Sequence, residues 1–129
     1  MGQPAVVLGD KLNGTCSIHL MPNPASGAPQ PSPPLPFSAP MTMGTCATVM
    51  IANKPTVVIG SQGLNTPPHV GLHPSDPFMA PPAQQGIVTQ GSATVFFGGT
   101  PAARTGDQGT CCGMPVGVLA GTAATVMIG

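Results

Sequence analysis

Charged side chains are nearly missing from this chain of 129 residues. Lys, Arg, Asp and Glu together make up 5% of it, and the formal net charge is zero. A soluble domain usually has about a quarter of its residues charged. Without a surplus of Lys and Arg there is no basic surface to neutralise phosphates, so nucleic acid is not an expected partner. A protein with so few surface charges is expected to be poorly soluble alone, and we therefore expect a partner to cover much of its surface.

Long apolar runs and most aromatic residues are also lacking. There is no Trp or Tyr and there are four Phe, so any core is built from Val, Ile, Met and Leu. No run approaches the ~20 apolar residues of a membrane-spanning helix. The first residues, Met-Gly-Gln-Pro-Ala-Val, form neither a basic leader nor a long apolar segment, so no signal peptide is predicted. We expect the chain to stay in a reducing cytoplasm, where its four Cys are thiols or metal ligands and not disulfides.

Uninterrupted helical segments are the third absence, because 18 Gly and 18 Pro break almost every stretch of the chain. The mean hydropathy of +0.27 nevertheless argues against disorder. The apolar runs are short and β-branched, and Gly, Pro, Asn or Ser bounds each of them, which predicts strands. We therefore expect an all-β fold.

Two short patterns each occur three times, and such repeats decide the architecture before any single motif does. The first is x-Pro-[Ala/Thr]-x-x-x-Gly-[Asp/Ser], at 3–10, 54–61 and 100–107. The second is Ala-Thr-Val followed by two apolar residues, at 47–51, 93–97 and 124–128. Together they divide a single domain, 1–129, into three units at about 3–53, 54–99 and 100–129.

Each unit is expected to contain an outgoing strand, a loop and a returning strand. Tight turns at 52–55 and 98–101 join each unit to the next. Three such units around an axis predict a pseudo-threefold arrangement of β-hairpins, with the tight turns at one end and the long loops converging at the other. In the first unit the Pro-rich stretch 20–43 predicts an extended, polyproline-like insertion over the surface.

Every His of the chain lies in one of these converging loops. His19 is in the first loop, His69 and His73 are in the second, and the third loop contributes the adjacent Cys111 and Cys112. Zinc binds Cys sulfur and His nitrogen at about 2.0–2.3 Å, and four protein ligands form a closed structural site. A small fold with few large side chains gains stability from such a site. We therefore predict a structural zinc ion, for which the second loop must turn back between its two His.

The repeats also discriminate among the cysteines. Cys46 aligns with Ala123, and a position that accepts Ala is a packing position. Cys111 has a counterpart in Cys16, because both end a Gly-Thr-Cys segment, and this again favours packing. Cys112 has no counterpart and is the preferred ligand, although the choice between Cys111 and Cys112 stays open. The predicted ligands are His19, His69, His73 and Cys112.

The few remaining polar residues suit structural roles. Asp10, Ser61 and Asp107 follow Gly at equivalent positions, where such side chains bond their own backbone in turns. Arg104 is the only Arg and is placed to pair with Asp107. The sequence has no Ser-His-Asp grouping, Walker loop or paired carboxylates, so we predict neither catalytic residues nor an enzyme.

The third unit resembles the PAAR-repeat family. The residues that carry the resemblance are Pro101-Ala102-Ala103-Arg104, Gly106-Asp107, Cys112-Gly113 and the final run 124–129. The resemblance extends through the three units over nearly the whole chain, with degenerate motifs in the first two. It implies a small cone of β-hairpins with zinc near its point. The broad base of that cone would cap the blunt end of a trimeric β-helical spike protein of the valine-glycine repeat type.

The resemblance also implies a setting, which is type VI secretion or a related contractile injection machine. A tip of this kind is assembled in the cytoplasm, sharpens the spike and assists membrane puncture, with transient contact to the target membrane. It leaves the cell, or enters a target cell, when the machine fires. Family members often carry or attach effector proteins.

Two other classes of protein stay open. A zinc-dependent hydrolase needs an open metal position and a nearby acid or base, and Asp76 is the only carboxylate close to the His pair in sequence. A secreted, disulfide-linked adhesive or shell protein would pair its cysteines. Four protein ligands on the metal would argue against the first class, and free thiols against the second.

Overall fold

The fold is all-β, as the sequence predicts. A computed structural model of the chain describes residues 2–113 and 115–129, with all their side chains except those at 81 and 124. Over these residues the only helical segment is a 3-10 turn, Pro81–Ala83, and none is a helix long and apolar enough to cross a membrane. In chain order the strands are β1 (Gln3–Ala5), β2 (Lys11–Cys16), β3 (Leu20–Pro22), β4 (Pro29–Pro31), β5 (Leu35–Pro40), β6 (Cys46–Ile51), β7 (Lys54–Thr56), β8 (Gln62–Leu64), β9 (Gln85–Val88), β10 (Phe96–Phe97), β11 (Thr100–Pro101), β12 (Gln108–Cys111), β13 (Val116–Ala120) and β14 (Ala123–Ile128).

Three antiparallel two-stranded sheets, which we call the ribbons, bring the two repeated patterns together. They are β1–β14, β6–β7 and β10–β11. In each ribbon the end of an Ala-Thr-Val run pairs with the start of an x-Pro pattern; the pairs are Ile128 with Gln3, Ile51 with Lys54 and Phe97 with Thr100. The predicted turns are confirmed in two of the ribbons, where Ala52-Asn53 and Gly98-Gly99 have φ values of 52° and 64°, and 60° and 83°. Positive φ at both central residues defines the tight hairpin turn that matches strand twist.

A larger antiparallel sheet of six strands, the main sheet, has the order β5-β2-β13-β12-β9-β8. It contains one hairpin from each unit: β2 with β5, β8 with β9, and β12 with β13. The sheet is curled, as contacts between its two edges show. Met43 bridges to Gln62 beyond β5, and the Thr66 N–H donates to the Ser38 carbonyl at 2.8 Å.

The main sheet is formed largely from segments that the sequence analysis expected to be loops. The strands β2, β12 and β13 carry glycines where another strand comes too close for a side chain. A Cβ at Gly14 would lie 2.6 Å from the Phe37 ring, and one at Gly117 would lie 2.6 Å from the Asn13 carbonyl oxygen. Glycine interrupts the β-branched alternation by which a strand is recognised in sequence, so these strands have a weak signal.

The Pro-rich stretch 20–43 is also more regular than expected. Its first part is a hairpin of β3 and β4, with Leu20 opposite Pro31. Its second part is β5, which pairs with β2 along its full length, from Pro40 opposite Lys11 to Leu35 opposite Cys16. Proline is tolerated in β5 because this strand lies at an edge of the main sheet.

The three copies of the x-Pro pattern contact one another in a ring. Each contact joins the fifth position of one copy to the third position of another; these bridges are Val7–Thr56, Val58–Ala102 and Arg104–Ala5. The sixth position of each copy also donates its N–H to the Pro carbonyl of that neighbour, at 2.9–3.1 Å; these bonds are Leu8 to Pro55, Ile59 to Pro101 and Thr105 to Pro4. Every copy therefore uses the same contacts toward its neighbours.

The turn that ends each copy is stabilised by its last side chain, as predicted. That side chain accepts a hydrogen bond of 2.8–3.0 Å from the N–H three residues earlier; the bonds are Val7 to Asp10, Val58 to Ser61 and Arg104 to Asp107. The predicted ion pair is present too, since the Arg104 Nε and NH2 groups donate to both oxygens of Asp107. This carboxylate raises the pKa of Arg104.

The buried apolar residues form two clusters. The larger cluster lies inside the curl of the main sheet and includes the fourth position of every x-Pro pattern, Val6, Val57 and Ala103. The smaller cluster lies under the ribbons; its buried members are Ala5, Val7, Ile51, Ala102, Ala123 and Ile128. The larger cluster therefore draws on all three units.

Candidate metal centre

Four buried side chains, which we call the centre, bring their ligand atoms within 4.8 Å of one another. They are Cys16, His19, His69 and Cys112. His nitrogen and Cys sulfur are both strong ligands of transition metals. The centre is therefore a group that can hold a metal ion.

The main sheet positions three of these four side chains. Cys16 is the last residue of β2, and His19 lies between β2 and β3. Cys112 follows β12 directly, with a φ of 55° that turns the chain at that point. His69 belongs to the segment between β8 and the 3-10 turn. The centre thus lies beyond the ends of β2 and β12, opposite the ends at which both strands leave the x-Pro patterns.

Asp76 orients the His19 ring. His19 Nδ1 lies 3.1 Å from Asp76 Oδ2, and both side chains are buried. The backbone N–H groups of Leu20 and Phe78 donate to the same carboxylate at 2.8 and 2.7 Å. Burial disfavours its ionised form, but these donors and His19 outweigh burial and lower the pKa of Asp76. An ionised carboxylate only accepts, so His19 carries its proton on Nδ1 and a lone pair on Nε2.

A backbone carbonyl orients the His69 ring in the same manner. His69 Nε2 lies 2.9 Å from the Pro36 carbonyl oxygen, which can only accept. His69 therefore has its proton on Nε2 and its lone pair on Nδ1. Gln84, which is fully buried, holds the His69 backbone on both sides: its Oε1 accepts from the N–H at 2.7 Å and its Nε2 donates to the carbonyl at 3.0 Å.

The two lone pairs face each other. His19 Nε2 lies 3.0 Å from His69 Nδ1, and the outer partners of both rings have already taken up the protons. Two acceptors at this distance repel unless a proton or a metal ion lies between them. Outer hydrogen bonds that fix the tautomer and aim the free nitrogen inward are the usual arrangement around metal-bound His. The residues present therefore fit a metal ion.

The sulfur side of the centre is a group of three buried thiols. Cys111 Sγ lies 3.9 Å from Cys112 Sγ. Hydrogen bonds from Cys112 and Cys16 to its thiolate lower the pKa of Cys111 to about 4. The hydrogen bond to Cys111 in turn raises the pKa of Cys16 to about 12, and Cys111 also raises the pKa of Cys112. Only one of three such close thiols ionises readily alone, whereas a cation allows more than one to do so.

Three of the four predicted ligands, His19, His69 and Cys112, come together, but His73 does not. Its Nδ1 lies 2.8 Å from Ser75 Oγ, and its Nε2 lies 3.2 Å from the Gly27 carbonyl oxygen. Both ring nitrogens therefore have partners outside the centre. The chain does turn back at Gly71, where φ is 75°. The His73 N–H is then held by the Leu20 carbonyl at 2.7 Å, which keeps this ring outside the centre.

Cys16 is the member that the sequence analysis missed. Its counterpart in the repeats favours packing, yet its sulfur also lies within the centre. The Cys-x-x-His spacing of Cys16 and His19 was the available signal, because metal ligands often occur at such short intervals. Cys46 lies outside the centre and bonds to Thr48, and all four cysteines are free thiols.

Searches against protein-family models and against curated proteins found no match to this chain. The fold and the centre therefore carry the functional argument.

Proposed function

We propose that this protein is a spike tip of the PAAR-repeat type, which caps the trimeric β-helical spike of a type VI secretion or related contractile injection machine. The observation that carries the proposal is the ring of identical contacts among the three x-Pro patterns. A single chain that repeats one contact three times can face three identical subunits.

The ribbons supply the surface for such a partner. Each ribbon exposes one large apolar side chain at the same position of its Ala-Thr-Val run, roughly half of it in solvent; these are Met50 (52%), Phe96 (53%) and Met127 (56%). Each of the three lies opposite the Pro of an x-Pro pattern. One apolar group per unit favours a threefold partner that buries all three at once.

The proposed shape is a pseudo-threefold cone with the ribbons as its base. One hairpin per unit leaves the ribbons and enters the main sheet, and the sheet curls until its edges meet. The centre lies beyond the far ends of β2 and β12 and would mark the point of the cone. A pointed tip suits a role in piercing a membrane. As part of the same proposal, the protein is assembled in the cytoplasm, is delivered on firing and can attach effector proteins.

Zinc is the ion that we propose for the centre. Two Cys and two His form one of the standard tetrahedral zinc sets, and four protein donors leave no position for a reacting water. This favours a structural role and argues against a zinc-dependent hydrolase. Free thiols argue against a disulfide-linked shell protein.

The test is co-purification with a trimeric spike protein of the valine-glycine repeat type from the same cell, with zinc measured alongside. We expect a complex of one chain per trimer with one zinc per chain. Phe96→Glu should weaken it at least about tenfold, because burying the exposed half of the Phe96 side chain contributes about 1 kcal/mol and burying a charge in its place costs more. Val116→Glu is the matched control, since Val116 is 56% exposed but lies on β13 in the main sheet. No complex, or equal loss in both variants, would refute the proposal.

A further inference from the structure

Cys111 is a third buried thiol beside the centre, and the proposed zinc set does not use it. It is fully buried, and its sulfur lies 3.9 Å from that of Cys112. The Cys16 sulfur lies within 4.8 Å of that of Cys112, and all three residues belong to the same buried cluster. The three sulfur atoms therefore form a triangle in which Cys112 is near both of the others.

The backbone conformation at Cys112 places the adjacent Cys111 and Cys112 side chains on the same side. Successive residues of a strand point to opposite faces, so Cys111 and Cys112 would ordinarily point apart. The φ of 55° at Cys112 reverses the chain direction, and both side chains point inward. A residue other than Gly rarely adopts positive φ, and such strain concentrates at functional sites.

We propose that Cys16, Cys111 and Cys112 form a second, all-sulfur coordination set that binds a soft monovalent cation, Cu(I), in place of zinc. Thiolates are the ligands that select Cu(I), whereas imidazole and thiolate together suit zinc. At a metal–sulfur distance of about 2.3 Å, trigonal angles of about 120° place two sulfurs about 4.0 Å apart. The observed separation of Cys111 and Cys112 is 3.9 Å.

The reaction balances without an oxidant. Starting from the zinc-loaded protein, two S–Zn bonds, two N–Zn bonds and the Cys111 S–H bond break, three S–Cu bonds form, zinc leaves as Zn²⁺ and copper stays monovalent throughout. The one proton released, from Cys111, finds acceptors in the facing nitrogens of His19 and His69, which lie 3.0 Å apart and are freed when zinc leaves. Both sets need Cys16 and Cys112, so the protein binds either zinc or Cu(I) at these two sulfurs, never both.

The two sets make opposite demands on their remaining members. Zinc needs His69 and does not need Cys111, whereas Cu(I) needs Cys111 and does not need His69. Cys46 provides a matched control, because it lies outside the group and bonds to Thr48. The inference rests on the proposed zinc centre, with which it shares Cys16 and Cys112, but it makes no use of the spike partner.

The experiment titrates the zinc-loaded, full-length protein with Cu(I), added as its acetonitrile complex without oxygen. A chromogenic Cu(I) chelator sets the affinity scale, a zinc indicator reports release, and X-ray absorption identifies the copper ligands. We expect one zinc released per Cu(I) bound, and a copper shell of three sulfurs without nitrogen. Cys111→Ser should keep its zinc and lose at least about tenfold in Cu(I) affinity, the size usual for disturbing a metal site. His69→Gln should show the reverse, and Cys46→Ser should behave as wild type.

Several results would overturn the inference: nitrogen in the copper shell, Cu(I) binding with zinc retained, or equal Cu(I) affinity in wild type and Cys111→Ser. Cys111→Ala replaces Cys111→Ser if far-ultraviolet circular dichroism shows that the serine variant is unfolded. Failure to bind zinc in the wild type, or to bind the spike, would instead count against the proposed function, so the two failures are distinguishable.

Discussion

Replacing Asp76 with Asn should weaken metal binding and stability together. The carboxylate accepts three hydrogen bonds, from His19 Nδ1, the Leu20 N–H and the Phe78 N–H. An amide has only one oxygen. If that oxygen keeps His19 and Leu20, the NH2 group faces the Phe78 N–H, and donor meets donor. If the amide turns around, its NH2 group favours a proton on Nε2 of His19, which is the nitrogen that the metal needs.

The magnitude follows from the first and cheaper arrangement. It loses one charge-assisted hydrogen bond and leaves a buried N–H unpaired, which together cost about 2–4 kcal/mol. A chain of 129 residues unfolds with an entropy of about 0.27 kcal/mol per degree. The melting temperature should therefore fall by about 7–15 °C, and zinc affinity by about 10–100-fold, as for other residues behind a metal ligand.

Scanning calorimetry measures the stability, and competition with a zinc chelator measures the affinity. Asp107→Asn is the matched control, because Asp107 is also buried and accepts a backbone hydrogen bond, but belongs to a turn outside the centre. It should lose stability and keep its zinc affinity. Unchanged zinc affinity in Asp76→Asn, or an equal loss in the control, would refute the reasoning.

The same carboxylate predicts a pH dependence for the zinc-free protein. Its pKa is lowered from 3.8 on folding, so it stabilises the fold fully above that value and loses this effect as the pH falls through the lowered pKa. The stability difference between wild type and Asp76→Asn should therefore shrink below about pH 4. A difference that stays constant down to pH 2 would contradict this.

Three further outcomes are expected. A strong chelator should lower the melting temperature of the zinc-loaded protein by about 15 °C, which corresponds to zinc at about 1,000 times its dissociation constant. An unchanged melting curve would contradict the structural role of zinc. His69→Ala should abolish stoichiometric zinc binding while His73→Ala keeps it, as measured by metal content after gel filtration. Gly63→Ala should destabilise by about 2–3 kcal/mol in urea unfolding, because the added Cβ would overlap the Pro40 carbonyl where the edges of the main sheet meet; a neutral result would mean that the edges separate freely.

Two of the ribbons, β6–β7 and β10–β11, were predictable because their information is local, whereas β1–β14 joins the two ends of the chain. An apolar β-branched run, a two-residue turn and an x-Pro segment follow one another in the chain, and the turns at Ala52-Asn53 and Gly98-Gly99 are as expected. The main sheet was not predictable in this way. Its strands are short and contain glycine, as in Gln62–Leu64, and they form because distant segments come together and not because of their own propensity.

The centre was predictable as far as the repeats place loops together. This brought in His19, His69 and Cys112. It also included His73, which lies outside the centre, because a backbone hydrogen bond from His73 to Leu20, distant in the chain, holds that residue elsewhere. Cys16 does pack in the core, as its repeat position indicated, but this position gave no sign that its sulfur also lies within the centre.

One position of the ring shows what imperfect duplication leaves behind. Ala5, Thr56 and Ala102 occupy the same place in the three x-Pro patterns, and all are fully buried. Across the described part of the chain, the Thr56 hydroxyl is the buried polar side-chain group left without a hydrogen-bond partner. Two copies have an alanine methyl group at this position, and the surroundings of the third copy provide no hydrogen-bond partner for its hydroxyl oxygen. Removing it as Thr56→Ala should leave the protein at least as stable, which would make this one of the few buried sites where a smaller side chain is no loss.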